Sequence, residues 1–566
     1  MSGEASARAT RLGLIFALSA ALLGCVPSAG GPAAGSGEQA ATKRVKSLTI
    51  AVDRDQERIL TRIGRQTPEV LRDSTHQHLA IIAPGGVVVP QLALDLPATS
   101  KGTWVVRPDG TMQTTYRIHP NVTWHDGAPL TTQDFLFAWT VVMDPALAIE
   151  SRAAAQQIER IEALDDHAFV IEWKRPYGAA NAIVEDDIGP FPTHLLKSSY
   201  EANKEQFWLS PWWGREFIGV GPYRLVGWEP GSHINLEAYD AYYAGRARID
   251  RITIRIIRDN PQAIMANLLA GAIDWSEDVT FTGAVTLKRE WEQAGLRPTF
   301  ITHASSGRAL WAQYRDPAVR ELMDLRVRKG LLHATDRKDL GPHLEGLNEI
   351  METLFPPDDA RWAWVKHDVA RYPYDVRRAE SLFAEAGLQR GPDGVFVNQA
   401  GGRMVLPLWG APGPANAPDA AIIGDRWKSF GVLTEQTLMS EAQADDRQHR
   451  VSFPSLLNSS WPLPTAASLQ RLQSNQCPTE QNRWTGQNYG CYGHPTMDDI
   501  VRRLTAAVDP EDQRRPFQEL GIFYSQELPL IPLYWGIGAI IARQGMSGVK
   551  GVGDSATWNI AEWDIE

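Results

Sequence analysis

Short runs of alternating hydrophobic and polar residues, several of them followed by a helical pattern, recur along this 566-residue chain. Residues 48–52 are apolar except for Thr49, and residues 249–257 alternate with a period of two, so both segments predict strands. The second run leads into a helix predicted over residues 261–269, because proline is accepted in a first helical turn and Gly271 suits the C-terminal cap. Strands and helices of this kind predict an α/β fold.

Two further helices are predicted from local signals. One begins after Thr131, since Thr131 and Asp134 resemble a capping box, and it ends before Pro145. A hairpin is predicted at Gly110, which supplies a positive φ. The other helix covers residues 376–386, where an apolar stripe predicts a core-facing surface rather than a ligand site. The residues of this stripe are Val376, Ala379, Leu382, Phe383 and Ala386.

The first residues of the chain carry the pattern of an export signal. Two arginines precede an apolar run over residues 12–23, which is too short to span a membrane. Residues 22–25 (Leu-Leu-Gly-Cys) resemble a bacterial lipobox, which implies a signal peptide over 1–24, cleavage before Cys25 and lipidation of that cysteine. Residues 25–44 predict a flexible tether, so we expect a soluble body that is lipid-anchored outside the cytoplasm, either at the periplasmic face of the envelope or at the outer face of the cell membrane.

Composition narrows the function classes. The formal net charge is −11, and the sequence has no run of five or more basic residues, so it carries no electrostatic footprint for nucleic acid. The length after removal of a signal peptide exceeds what one hydrophobic core usually organises. We therefore expect two or more lobes.

The usual catalytic signatures do not occur in the sequence. It has no Gly-x-Ser-x-Gly elbow, no Gly-x-x-x-x-Gly-Lys phosphate loop and no His-Glu-x-x-His helix. Residues 219–221 (Gly-Val-Gly) are followed by Pro222, where a dinucleotide site needs a helix start. Adjacent carboxylates at 165–166, 186–187 and 358–359 are interpreted as solvated turns rather than acid/base pairs. The chain is therefore predicted not to be an enzyme.

The cysteine count leaves one candidate pair. If Cys25 is lipidated, Cys477 and Cys491 remain, and outside the cytoplasm they favour a disulfide that closes a short loop. A metal site is a weaker alternative, because His494 is near but no second histidine completes a ligand set. The segment 76–78 (His-Gln-His) also lacks a third ligand nearby. No metal and no cofactor are predicted.

Several unrelated motifs follow one another in a specific order. A hairpin, a Thr-Trp-His-Asp-Gly turn and a capped helix come first. The later motifs are Pro-Thr-His at 192–194, Gly-Val-Gly-Pro-Tyr at 219–223, Arg-Val-Arg at 326–328 and Ile-Pro-Leu-Tyr-Trp at 531–535. In this order the chain resembles the family 5 extracellular solute-binding proteins of ABC importers, the dipeptide, oligopeptide and nickel-binding group, from about residue 48 to near the C-terminus.

The resemblance implies a two-lobed α/β fold of the periplasmic-binding-protein kind, class II and type C, with a hinge that the chain crosses twice. It also implies a small extra domain inserted in the first lobe. The expected boundaries are 45–84, 185–290 and 528–566 for the first lobe, 85–184 for the inserted domain and 291–527 for the second lobe.

Candidate ligand-binding residues follow from the same resemblance. Peptide-binding members place an aspartate in the second lobe, four residues before a proline, to pair with the ligand's α-ammonium. Counting back from Pro464, this chain has Ser460 there, which offers a weaker hydrogen bond than an ion pair. Aromatic walls suit ligands that vary in side chain, and the chain has 20 Trp. The candidates are Trp409, Ser460, Trp461, Trp484, Tyr534 and Trp535. Other aspartates that are candidates to replace the missing carboxylate are Asp358, Asp359, Asp445 and Asp446.

The function implied is capture of a peptide or peptide-like solute by lobe closure and its delivery to the transmembrane subunits of an ABC permease. The protein is expected to be a monomer held to the membrane by its N-terminal lipid. Two alternatives stay open. The same fold suits a non-peptide solute such as an oligosaccharide, an opine or a metal chelate. It also suits a sensor or folding-helper lipoprotein that works without an importer.

Overall fold

A computed structural model gives the structure of most of the chain. It describes residues 45–55, 59, 69–147, 149, 152, 154–183, 188–258, 260–341, 348–413, 415–553 and 555–566. Among the helices in these ranges, none has the length and apolar character that crossing a membrane requires. The predicted signal peptide, tether and lipidated Cys25 lie outside the described residues.

The strands are numbered in chain order. They are β1 (Ser47–Val52), β2 (Ala80–Ala83), β3 (Val87–Pro90), β4 (Trp104–Val106), β5 (Met112–Arg117), β6 (Ile158–Asp165), β7 (Ala168–Trp173), β8 (Tyr223–Glu229), β9 (His233–Ala238), β10 (Arg251–Ile256), β11 (Trp275–Ser276), β12 (Thr299–Ala312), β13 (Glu349–Ile350), β14 (Gln389–Arg390), β15 (Phe396–Val397), β16 (Val405–Gly410), β17 (Leu433–Leu438), β18 (Leu456–Trp461), β19 (Leu530–Ala542), β20 (Met546–Ser547) and β21 (Asp564–Ile565).

The α-helices follow the same order. They are α1 (Glu69–Thr75), α2 (Thr132–Met143), α3 (Thr193–Ala202), α4 (Lys204–Phe207), α5 (Pro261–Leu269), α6 (Phe281–Gln293), α7 (Leu325–His333), α8 (Trp362–Val365), α9 (Val376–Glu385), α10 (Asn416–Phe430), α11 (Glu441–Asp445), α12 (Arg447–Arg450), α13 (Ala466–Gln470), α14 (Pro495–Ala506) and α15 (Pro510–Glu527).

Local sequence signals account for several of these elements. The predicted strand at 48–52 is confirmed as β1, and the alternating run at 249–257 is confirmed as β10. The predicted helix over 261–269 is α5, and the apolar stripe at 376–386 lies on α9. Thr131 and Asp134 form the predicted capping box at the start of α2. Capping and periodicity are therefore sufficient to place these elements.

The first lobe is organised by a five-stranded sheet in the order β11-β1-β10-β9-β8. Strand β1 lies parallel to both β10 and β11, whereas β9 runs antiparallel to β10 and β8. Because parallel neighbours end at the same edge of a sheet, the residues after β1 and β11 come together there.

A four-stranded sheet, β4-β5-β7-β6, forms the inserted domain with α2. Its core contains Trp104, Tyr116, Trp124, Phe169 and Trp173, all of them buried. The inserted domain is fixed to the first lobe, because Trp139 and Ile218 pack against the cores of both. The backbone N–H of His125 also donates to Gly219 O at 2.9 Å.

The second lobe is built on a six-stranded sheet in the order β13-β19-β12-β18-β16-β17. One of its cores packs α7, α9 and α10 against the sheet, and the other packs α14 and α15. Strands β12 and β19 pair antiparallel from Thr299 opposite Ala542 to Trp311 opposite Leu530, with register shifts between Ala304 and Gly307 and between Arg308 and Ala309.

Strand β19 joins the two lobes. Its first half contributes Ile531 and Leu533 to a second-lobe core, whereas its last residues contribute Ile540 and Ala542 to the first-lobe core. The paired strands β12 and β19 therefore form the connection between the lobes.

Residues 555–565 pack into the first lobe. Trp563 packs edge-on against Trp275 with ring centroids 5.2 Å apart. The Thr557 hydroxyl donates to Asp73 Oδ2 at 2.7 Å, and the Ser555 hydroxyl donates to the same oxygen. Residues from both ends of the sequence thus build one core.

Candidate ligand-binding cavity

A cavity of about 340 Å³ lies where the first-lobe sheet meets the strands that connect the lobes. Its volume is at the small end of the range for ligand pockets, which fits a small solute or one end of a longer one. The residues that line it are Val52, Asp53, Arg54, Glu69, Trp275, Ser276, Glu277, Asp278, His303, Ala539, Ile540, Val552 and Ala556.

The parallel pairing of β1 with β11 assembles the polar wall of this cavity. Ala51 lies opposite Ser276 in the register, so Asp53 and Asp278 follow at the same sheet edge. The backbone N–H of Asp53 donates to Asp278 Oδ2 at 2.7 Å. Ligands of open α/β sheets bind outside the carboxyl ends of parallel strands, which is where these carboxylates lie.

Hydrogen bonds hold this edge in place. The Ser276 hydroxyl donates to Ala51 O at 2.9 Å and accepts from the backbone N–H of Asp278 at 3.1 Å. Ser276 is buried, so its two hydrogen bonds fix the strand end below the carboxylates. Glu69, the first residue of α1, adds a further carboxylate to the lining.

The electrostatics of this wall are dominated by negative charge. Burial, and then the nearby carboxylates of Glu69, Asp278 and Asp73, hold the pKa of Glu277 well above its usual range. Burial and the charge of Asp53 raise the pKa of Asp278 to about 6. Burial is the larger cause of both shifts and like charge nearby adds to it, so a cationic group in the cavity would stabilise both ionised forms.

One cation of this wall is already paired. Arg54 Nε lies 2.9 Å from Asp53 Oδ1. Four carboxylates therefore share the lining with one guanidinium group and one imidazole, that of His303. The arrangement favours an ammonium or guanidinium group over a carboxylate or phosphate group.

The opposite wall comes from β12 and β19. His303 on β12 lies beside Gly538 on β19, and a Cβ atom at Gly538 would overlap the imidazole ring. The His303 ring is further held by a 2.9 Å hydrogen bond between Nδ1 and Ala304 O. The φ of Gly538 lies outside the positive region, so the backbone conformation does not require glycine here. Glycine is needed because it lets the His303 ring approach the strand closely.

Three of the residues proposed from sequence are buried in the second lobe. Trp461, Tyr534 and Trp535 are each at most 1% exposed. Trp461 packs near Trp311, with ring centroids 5.5 Å apart, and the Tyr534 hydroxyl donates to Asp419 Oδ2 at 2.8 Å. These contacts give the three side chains a packing role.

The other three have some exposure. Trp409 stacks on His449 at a centroid distance of 5.0 Å. Ser460 is exposed on β18. Trp484 lies 5.3 Å from the Arg315 guanidinium and has a φ of 60°, which is uncommon for a residue with a side chain. None of the six proposed residues lines the acidic cavity.

Cys477 and Cys491 are joined in a disulfide, with Cα atoms 4.7 Å apart, that closes the loop carrying Trp484. Among the described residues, no group of three or more His, Cys, Asp or Glu side chains is arranged so that it could hold a metal ion. His76 and His78 are buried with ring centroids 5.5 Å apart.

Sequence reasoning missed the acidic wall. Glu277 and Asp278 are adjacent carboxylates directly after a short strand, and Asp53 directly follows β1. A carboxylate at the C-terminal end of a predicted parallel strand is the signal that indicates such a site. Recognising this signal requires the strand order, because the pairing of β1 with β11 is what places residues 53 and 278 side by side.

Comparisons with known proteins place the chain among extracytoplasmic binding proteins. A family profile described as "Bacterial extracellular solute-binding proteins, family 5 Middle" matches residues 88–477. The oligopeptide-binding protein AppA of Bacillus subtilis (strain 168) is 22% identical over 460 residues, which cover 80% of this chain and 81% of that protein.

Solved structures share the fold. NikZ from Campylobacter jejuni, in complex with Ni(L-His), superposes with a TM-score of 0.73 and 21% identity, covering 92% of this chain and 99% of that chain. The oligopeptide binding protein from Thermus thermophilus, complexed with a pentapeptide, gives a TM-score of 0.73 and 19% identity, covering 92% and 96%. Both neighbours are two-lobed binding proteins, and at these identities the likeness is one of fold.

Proposed function

Because this chain belongs to the bacterial extracellular solute-binding proteins of family 5, we propose that it is the binding component of an ABC importer that captures a peptide or peptide-like solute bearing a cationic group. The observation that supports this is the acidic cavity between the first-lobe sheet and the connecting strands. An ammonium group there would be close to Glu277 and Asp278, whose ionised forms it stabilises.

The mechanism follows from the position of the cavity. One wall belongs to the first lobe, and the other to the strands that join the lobes. The lining ends at the strands that join the lobes, so a solute seated there favours the closed form when its exposed part also contacts the second lobe, by its differential affinity for that form. The permease would then receive the closed, loaded protein.

The charge of the cavity gives the proposal a direct test. We would measure binding of trilysine, trialanine and triglutamate by calorimetry, each with a free and an acetylated N-terminus. Trilysine is expected to bind at least tenfold more tightly than triglutamate, because the wall carries four carboxylates. Equal binding of all three peptides, or binding of triglutamate alone, would rule out recognition by this wall.

Variants of the wall separate it from the rest of the surface. Asp278→Asn removes a negative charge, and Glu277→Gln removes a carboxyl group whose ionised form a bound cation would stabilise; together they should weaken trilysine binding at least tenfold. Glu229→Gln, an exposed residue at the end of β8, removes the same charge away from the cavity and should leave binding unchanged. If Glu229→Gln weakens trilysine binding as much as the two wall variants do, the loss of affinity reflects net charge alone, which would contradict the proposed site.

Nickel-histidine, Ni(L-His), is the ligand of the NikZ structure. It belongs in the same binding panel, because it represents the metal chelates that are the alternative substrate class. If calorimetry shows binding of Ni(L-His) and of no peptide, the proposed ligand class changes from peptides to metal chelates.

The anchor is a second part of the proposal. We infer from the Leu-Leu-Gly-Cys sequence that the mature protein begins at a lipidated Cys25. Mass spectrometry of the N-terminal peptide should show diacylglycerol on that cysteine, and Cys25→Ser should release the protein from membranes. An unmodified N-terminal peptide would overturn the anchor and leave the binding proposal intact.

A further inference from the structure

The inserted domain touches the second lobe directly, away from the acidic cavity. The backbone N–H of Gly178, just after β7, donates to Thr505 O at 2.6 Å. Thr505 lies in the last turn of α14, and Val508, just beyond that helix, packs against the core of the inserted domain. The inserted domain is fixed to the first lobe, so this contact bridges the two lobes.

The close approach depends on Gly178 having no side chain. A Cβ atom at this position would overlap the carbonyl oxygen of Ala507 and lie 3.0 Å from Gln513 Nε2. The three nearest atoms all belong to the second lobe. The φ of Gly178 is not in the positive region, so its own backbone accepts an L-residue. A side chain here would therefore conflict with the second lobe and not with the fold of the inserted domain.

The junction beside this contact is polar and small. A cavity of about 80 Å³ separates the two surfaces, enough for two or three water molecules. Gln156 and Gln157 line it from one side, and Gln470, Gln473 and Gln476 line it from the other. Arg175 lines it as well, and solvent satisfies such polar groups when the two surfaces separate, so this interface suits a contact that opens and reforms.

We propose that the contact of Gly178 with residues 505–507 is a latch that holds the lobes closed. The proposal rests on the proposed function, because it concerns the closure that traps the solute. Every atom of the contact belongs to the protein, so the latch would act in the ligand-free protein as well. The latch then sets the fraction of molecules that are ready to bind, and the apparent affinity scales with that fraction.

Gly178→Ala tests the latch without touching the ligand cavity. Small-angle scattering of the ligand-free, full chain should give a larger radius of gyration for the variant than for the wild type. Trilysine affinity should fall at least tenfold, while the unfolding midpoint of the ligand-free protein stays within about 2 °C. Gly227→Ala on β8 is the matched control, because its Cβ would meet Asn235 at an ordinary 3.7 Å and no second-lobe atom.

A second variant covers the case in which the turn shifts to accept a methyl group. Val508→Asp places a charge against the core of the inserted domain and should open the protein in the same way. Unchanged scattering and unchanged trilysine affinity in both variants would overturn the latch. A lower unfolding midpoint with unchanged shape would also overturn it, because the contact would then be permanent packing.

The scattering experiment separates failure of the latch from failure of the proposed function. If no peptide of the panel binds even the wild type, the peptide proposal fails. The scattering of the ligand-free variants still decides whether Gly178 controls closure.

Discussion

The hydroxyl group of Tyr534 donates a 2.8 Å hydrogen bond to Oδ2 of Asp419, which ties β19 to α10 inside the second lobe. Both residues are fully buried. Asp419 Oδ1 accepts from the backbone N–H of Gly341 at 3.0 Å, and Arg308 Nε lies 3.7 Å from Oδ2. A buried carboxylate of this kind is stable only while its partners remain in place.

We therefore predict that Tyr534→Phe lowers the free energy of unfolding by roughly 1–2 kcal/mol, because the buried carboxylate loses one donor. Urea denaturation measures the change. Peptide affinity should stay within twofold, since the ring packs in the core. Tyr524→Phe is the matched control, because the buried Tyr524 hydroxyl has no hydrogen-bond partner among the described residues and its loss should cost little. Normal stability with lost binding would instead place Tyr534 at the ligand.

The acidic wall predicts a gain in stability when one charge is removed. Folding raises the pKa of Asp278 from 3.8 to about 6, so the folded state binds more protons than the unfolded state between these values. The free energy of unfolding therefore falls as the pH rises through this window, by up to about 3 kcal/mol. Asp278→Asn should be more stable than the wild type at pH 7.5 and weaker in trilysine binding. Denaturation curves at pH 7.5 and pH 4 measure it; equal stability of the two proteins at pH 7.5 would contradict it.

Binding of a cationic solute should itself depend on pH. The Asp278 carboxylate is ionised above about pH 6 and neutral below it, and the pKa of Glu277 is raised as well. Trilysine affinity should therefore fall as the pH is lowered from 7.5 to 5. Calorimetric titrations at three pH values measure the affinity, and trialanine with an acetylated N-terminus, which has no cationic group, serves as the control. An affinity for trilysine that rises on acidification would count against the acidic wall.

Acid should also destabilise the protein through His76. Burial lowers the pKa of this imidazole to about 3, with a further contribution from the charge of His125. The unfolded state thus binds more protons between about pH 3 and 6.5, so the stability present above pH 6.5 is lost as the pH falls through this window. At pH 5 the loss amounts to about 2 kcal/mol.

His76→Gln removes this titration. The difference in the free energy of unfolding between pH 7 and pH 5 should shrink by about 2 kcal/mol in the variant, whatever the absolute stability. His233→Gln is the control, because this histidine lies at the end of a surface hairpin, where its Nδ1 shares a 2.9 Å hydrogen bond with the Ser232 hydroxyl. The same pH dependence in His76→Gln and in the wild type would refute the assignment.

The disulfide predicts that reduction lowers the stability of the protein. Cys477 and Cys491 close a loop with a sequence separation of 14, so the double variant Cys477→Ser, Cys491→Ser should lose about 3 kcal/mol of stability. Thermal unfolding in the presence and absence of a reductant measures it. The reductant should leave the double variant unaffected; an equal response of both proteins would trace the effect elsewhere.

Local sequence patterns were sufficient to predict several helices and strands, but they were insufficient to predict the acidic cavity. The helix α5 and the capping box of α2 could be predicted, because both depend on residues within one or two turns. The acidic wall could not, because Asp53 and Asp278 are distant in sequence and meet only through the pairing of β1 with β11. The aromatic residues proposed from sequence lie outside this cavity, and their contact with a ligand stays a prediction. A tryptophan or tyrosine suits a core as well as a cleft, and residue type alone does not distinguish the two.

Residues 555–563 supply Trp563 to the first-lobe core and two hydroxyl groups to Asp73 on α1. A nascent polypeptide therefore cannot complete this core until residues 555–563 have been synthesised. Products of premature termination before residue 555 would retain the acidic wall in their sequence and lack the groups that support α1 behind it. The position of Glu69, which begins α1 and lines the cavity, thus depends on residues about 480 positions later in the chain.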